Sequence, residues 1–129
     1  MAIQLDHFIV PSHNKVASAQ RLAEILGVPW AETALGPFSP VFINDGLTLD
    51  FVETADSYPV HHYCFRVSQD EFDTILARLK AEGIPYRSAV RGPDDRQVST
   101  QFGGNGVYWN EPDGHQWEML TVSYARQTG

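Results

Sequence analysis

Two histidines and two carboxylates occupy matching places in this 129-residue chain: His7 and His62, Asp50 and Glu118. Imidazole and carboxylate together form a donor set suited to Fe(II), Mn, Co, Ni or Zn. Each ligating imidazole must be neutral and needs a hydrogen-bond partner on its other nitrogen, and no sequence pattern identifies those partners. Taken alone, either histidine reads more readily as structural than as a ligand. Their matched placement opposite Glu118 reverses that weighting. Glu118 stands between Trp117 and Met119, on an otherwise apolar stretch where a lone carboxylate is costly unless it is paired or ligated. Asp50 reads equally as a ligand or as an acceptor behind one.

The matching follows from an internal repeat. Residues 5–12, LDHFIVPS, resemble residues 60–68, VHHYCFRVS, both rich in β-branched and aromatic residues. Each precedes a helical stretch, Asn14–Leu26 and Gln69–Glu82. In the first, Val16, Ala19, Leu22, Ala23 and Leu26 recur at helical spacing; in the second, Phe72, Ile75, Leu76 and Leu79 do so. Asn14 and Ser68 are the expected N-caps. Both helices run into a glycine followed two residues on by a proline, at Gly27-Val28-Pro29 and Gly83-Ile84-Pro85. Later, Asp45-Gly46 leads to Asp50 as Asp113-Gly114 leads to Glu118. Asp-Gly is a strong signal for a tight turn between strands. Each half therefore reads as strand, helix, then three strands, giving an α+β chain with modules 1–56 and 57–129. The segment 87–105, with Gly92-Pro93-Asp94-Asp95 and Gly103-Gly104-Asn105-Gly106, reads as a loop or irregular hairpin at a cavity rim.

Alternation along strands assigns the faces. Phe8 and Val10, and Tyr63, Phe65 and Val67, suit the helix-packed side, as do Leu49, Phe51, Trp117 and Met119. His7, His62, Asp50 and Glu118 then share the opposite side, which suggests a concave site. His61 falls on the helix side or before the strand and reads as structural, although a register error of one residue would exchange it with His62. His115, in a turn, and His13, before a helix, read as surface residues. Tyr108 reads first as packing and second as a phenol near a substrate. Arg66 lies on the site face, where it either meets an anionic substrate or sits on a solvated rim.

The bulk properties exclude several classes. A chain of this length can bury one substantial core, and 43% hydrophobic with 19% charged residues is a globular balance. A net charge of −7 with nine Lys and Arg argues against nucleic acid as a partner. No apolar run is long enough for a bilayer, so no membrane partner is expected. The opening MAIQLDHFIVPSHNK has no charged stretch leading into an apolar core, so no secretion signal is expected. The single cysteine, Cys64, fits a reducing cytoplasm and reads as a small buried hydrophobe rather than a nucleophile.

Three segments carry a resemblance: Leu5-Asp6-His7-Phe8, His62-Tyr63-Cys64-Phe65-Arg66-Val67, and Asn110-Glu111-Pro112-Asp113-Gly114-His115-Gln116-Trp117-Glu118. Together they resemble the vicinal oxygen chelate superfamily of glyoxalase I, fosfomycin-resistance enzymes, methylmalonyl-CoA epimerase, extradiol dioxygenases and bleomycin-resistance proteins. The likeness covers essentially the whole chain as one such domain. It implies two βαβββ modules forming an open curved barrel around a divalent metal ion. Carried over by position, the ligands are His7, His62 and Glu118. Asp50 fills the slot that glyoxalases give to a glutamate, one methylene longer.

The resemblance leaves the reaction open, because fold does not determine function. A His, His, Glu triad on Fe(II) favours extradiol ring cleavage. Recruitment of Asp50 favours a glyoxalase-like lyase or isomerase on Zn, Ni or Co. In either case the partner is a small oxygenated substrate, and no catalytic base stands out beyond the ligands. The alternative from another class is a drug-sequestering module of the bleomycin-resistance kind, compatible with the acidic charge and three tryptophans but not with the retained ligand set. Modules of this kind pair within one chain or between chains, and a homodimer is the expected assembly.

Overall fold

A computed structural model describes residues 3–33 and 36–125. The chain divides into two compact units, Met1–Pro59 and Val60–Gly129. Both follow the same order of elements.

Unit 1 begins with β1 (His7–Ser12) and α1 (Lys15–Leu26). Asn14 caps the helix as its position suggests, its side chain accepting from the Ala17 N–H at 3.1 Å. Gly27 ends it in the left-handed region at φ 75°, its N–H donating to the Ala23 carbonyl, a conformation that costs glycine nothing. The chain then forms β2 (Phe38–Asn44) and β3 (Leu47–Glu53), joined through the expected Asp45-Gly46 turn. The Asn44 side chain accepts from the Gly46 N–H at 2.8 Å and fixes that turn. Strand order is β1-β3-β2, with β1 parallel and β2 antiparallel to the central β3. Val10, Val41, Leu49 and Phe51 are fully buried with Ala19 and Leu22 of α1. A 2.7 Å bond between the buried Ser12 and Ser18 hydroxyls ties the helix to β1.

Unit 2 repeats this plan with β4 (His62–Arg66), α2 (Gln69–Ala81), β5 (Gly106–Asn110) and β6 (Gln116–Leu120). Ser68 and Glu71 form a reciprocal capping box: the Glu71 N–H donates to the Ser68 hydroxyl at 3.1 Å and the Ser68 N–H to the Glu71 carboxylate at 2.8 Å. Gly83, at φ 66°, again follows the helix. The sheet order β4-β6-β5 is that of unit 1. Phe72, Ile75 and Leu79 of α2 are buried, as are Val107, Trp117 and Met119.

The first of the three strands expected after each helix is reduced to a single bridge, Trp30↔Val41 in unit 1 and Arg87↔Tyr108 in unit 2. Prolines limit the first: Pro29 and Pro40 flank the bridge on the two chains, and neither has an N–H to extend the ladder. In unit 2 a carboxylate diverts the chain. Asp95 accepts from both the N–H and the hydroxyl of Ser88, at 3.0 and 2.6 Å, taking the donor that a strand would have used. Segment 87–105 is the irregular hairpin foreseen, closed by a Ser99↔Gly106 bridge. It is pinned by the buried Arg87 guanidinium, which donates to Asn110 at 2.7 Å and to Asp94 at 3.2 Å. The Asp113-Gly114 turn is longer than its counterpart, spanning five residues between β5 and β6.

Candidate metal centre

Parallel pairing of β4 with β6 places His62 opposite Gln116 and Cys64 opposite Glu118. Glu118 therefore lies one pleat along from His62 on the same face, and its carboxylate oxygen Oε1 sits 2.8 Å from His62 Nε2. His62, not His61, makes this contact. Trp117 and Met119 turn to the opposite, core side as alternation requires. Glu118 is only 1% exposed, and among the described residues its ion-pair partner is an imidazole, with no lysine or arginine paired to it.

Three further side chains complete the surroundings of Glu118. The Tyr124 hydroxyl donates to Oε1 and Oε2, at 2.8 Å to each. Tyr108 stands directly opposite Glu118 on β5, and its phenol lies near enough to that of Tyr124 for each to perturb the other. Burial, then the hydrogen bonds with Tyr108 and Glu118, push the Tyr124 phenol well above its ordinary range, so it remains a proton donor. Burial raises Tyr108 as well. Cys64 corrects the expectation of a buried residue: it is exposed. Its thiol is nonetheless pushed up to about 12, by desolvation first and then by the Glu118 carboxylate beside it. His62, Cys64, Arg66, Glu118 and Tyr124 line an open cleft of about 370 Å³. The strand alternation thus brings Arg66 to the same cleft.

In unit 1 the register is equivalent. His7 pairs with Thr48, so Asp50 lies one pleat along on the same face, beside Ile9. Here the pair is looser. His7 is exposed, and its Nδ1 lies 2.7 Å from Asp6 Oδ2. That hydrogen bond, and the charges of Asp6 and Asp50, raise its pKa. Asp6 is thus a hydrogen-bond partner of His7 that the sequence left unidentified. Asp50 is half-buried.

Of the two histidines expected at the surface, His13 lies there and His115 does not. His115 is fully buried rather than exposed. It stacks on His61, and its Nδ1 accepts the His61 backbone N–H at 3.0 Å. His13 is exposed, bonded through Nδ1 to the Thr54 carbonyl. Tyr124 was not foreseen at all. It follows the last strand in TVSYARQTG, where no periodicity or turn signal singles it out.

Among the described residues no group of three or more His, Cys, Asp or Glu gathers as a metal-holding cluster. The donor chemistry around Glu118 still fits a cation. A buried carboxylate is stabilised by a paired positive charge or a metal, and among the described residues Glu118 is met by an imidazole and a phenol rather than by a lysine or arginine. His62 and Glu118 would hold two coordination positions there, with a third to come from elsewhere.

Scans of family models and of curated proteins find no match. Solved structures do match. "Oxidase ChaP-H2" is 40% identical at a TM-score of 0.87, over 97% of this chain and 98% of its own. "Oxidase ChaP-H1" is 38% identical at 0.86, over 96% and 99%. A glyoxalase/dioxygenase from Nostoc punctiforme is 20% identical at 0.68, over 93% and 91%, a likeness of fold. The paired βα units, their sheet order and these relatives define the class: the chain belongs to the vicinal oxygen chelate superfamily, with its glyoxalase-like α+β fold. Members of that superfamily generally use a divalent metal. Among the described residues no helix is long and apolar enough to cross a membrane.

Proposed function

We propose that the chain is a metal-dependent oxidoreductase of this superfamily, acting with O₂ on a small substrate that presents adjacent oxygens. The observation that carries the reading is the buried Glu118 carboxylate held 2.8 Å from His62 Nε2 on the wall of an open cleft. Near-complete alignment at 40% identity with a protein named an oxidase supports oxidation over isomerisation. His62 and Glu118 are two ligands, and His7, from the same chain or a second copy, is the third. Asp50 acts behind His7.

A bound divalent ion would supply Lewis acidity for substrate oxygens and, as Fe(II), a site for O₂. The chain's own groups do the rest. Tyr124 and Tyr108 hold their protons, and Tyr124 directs its own to the Glu118 carboxylate on the cleft wall. Arg66, on the same strand face as His62, offers the cleft a cation in a chain of net charge −7. An enolate, phenolate or carboxylate on the substrate would meet it there.

The experiment is oxygen uptake by protein loaded separately with Fe(II), Mn, Co, Ni or Zn, using catechols and hydroquinones as probes. The reading predicts uptake that depends on Fe(II) and is lost in His62→Ala. Anaerobic turnover of a glutathione hemithioacetal, equal with Ni or Zn and without oxygen uptake, would instead make the protein a glyoxalase-like isomerase.

A further inference from the structure

We infer that Tyr124 is a positioning residue that orients the Glu118 carboxylate for the ion, and that it does so through its hydroxyl. The inference rests on the reading that His62 and Glu118 hold a divalent metal. A phenol has one proton, yet Tyr124 stands 2.8 Å from both Oε1 and Oε2. The bond is therefore shared and can settle on either oxygen. Oε1 is the oxygen turned to His62, so it is the one available to an ion held jointly with that imidazole. Oε2 then remains as the acceptor for Tyr124, and the phenol fixes the carboxylate plane while the other oxygen is used.

Tyr124 can do this only if it is itself held. It lies beyond β6, outside regular secondary structure, so backbone pairing does not place it. Two side-chain contacts do. Its ring lies 4.6 Å from that of Phe102, in the irregular hairpin. Its hydroxyl lies beside that of Tyr108, whose backbone is fixed opposite Glu118 in the β5–β6 ladder. The result is a chain of contacts from Tyr108 through Tyr124 and Glu118 to His62, anchored on all three strands of the unit 2 sheet. Tyr124, Glu118 and Leu120 line both the open cleft and a small adjoining hollow that Phe102 also lines. A hydrogen bond to a ligating carboxylate of this kind typically changes metal affinity by about 10–100-fold when removed.

Competitive titration of full-length protein with Co(II) alone, against a chelator of known affinity, tests this. Tyr124→Phe keeps the ring and removes the hydroxyl. It should weaken Co(II) by about 10–100-fold and alter the visible Co(II) absorption, which reports how the carboxylate is bound. Phe102→Ala, at a residue 39% exposed, should leave the fold intact and weaken Co(II) in the same direction by a smaller factor. Affinity and spectrum unchanged in Tyr124→Phe, with wild type binding Co(II) through His62, would overturn the role of Tyr124 and leave the metal site standing. No His62-dependent Co(II) binding in wild type would overturn both.

Discussion

Glu118 and His62 lie 56 positions apart in sequence and 2.8 Å apart in space. The contact is a diagonal of two parallel strands: His62 faces Gln116, and Glu118 is the next residue on that face. The same diagonal recurs in unit 1, where His7 faces Thr48 and Asp50 follows. One folding unit used twice thus makes the same histidine–carboxylate pairing twice. In unit 2 the contact is direct and its carboxylate is buried; in unit 1 it is open, with Asp6 on the imidazole instead.

That asymmetry predicts unequal roles for the two carboxylates. Glu118→Ala removes the buried carboxylate beside His62 and should abolish metal binding. Asp50→Ala removes a half-buried charge that reaches His7 only through space, and should cost about 10–100-fold in affinity. Isothermal titration with Fe(II) under anaerobic conditions separates them. Equal, near-total loss in both variants would make Asp50 a fourth ligand and the centre glyoxalase-like.

The capping box at the start of α2 gives a prediction on stability. Ser68→Ala should destabilise the protein by about 1 kcal/mol, measured by urea unfolding at neutral pH. The pKa of Glu71 is lowered from its ordinary 4.5, chiefly by the Ser68 backbone N–H and then by its hydroxyl. A depressed carboxyl stabilises the fold above its unfolded value and loses that contribution as pH falls through the folded one. The difference between wild type and Glu71→Ala should therefore be constant above about pH 5 and shrink below pH 4.5. A difference that grows on acidification would contradict the assignment.

His115 supports the turn that leads into the Glu118 strand. His115→Ala should leave the part-buried His61 N–H without its acceptor, at a cost of about 0.5–1.5 kcal/mol before the loss of the buried ring is counted. Thermal unfolding should show this loss even with metal withheld. A variant as stable as wild type would mean that the His61–His115 bond carries no weight.

Much of this was legible in the sequence for physical reasons. Helix periodicity, the Asn14 and Ser68 caps and the two glycine stops are local signals, and local signals fix local structure. The pleat period of two assigned faces correctly, so His62 and Glu118 fell on one side with Trp117 and Met119 on the other. The first strand after each helix was over-read, because proline and the Asp95 side chain take away donors that hydrophobic pattern does not register. His115 was misplaced since a turn histidine carries no mark of the backbone N–H it accepts. Tyr124 was invisible, being placed by a phenol–carboxylate contact and a ring contact rather than by any repeat.

The central claim is that His62 and Glu118 bind a divalent metal, and metal content by mass spectrometry tests it most directly. Protein purified without chelator and reloaded with Fe(II) should hold about one equivalent per pair of modules. His61→Ala should retain that metal, while His62→Ala and Glu118→Ala should each lose it. Full metal content in both His62→Ala and Glu118→Ala would contradict the account.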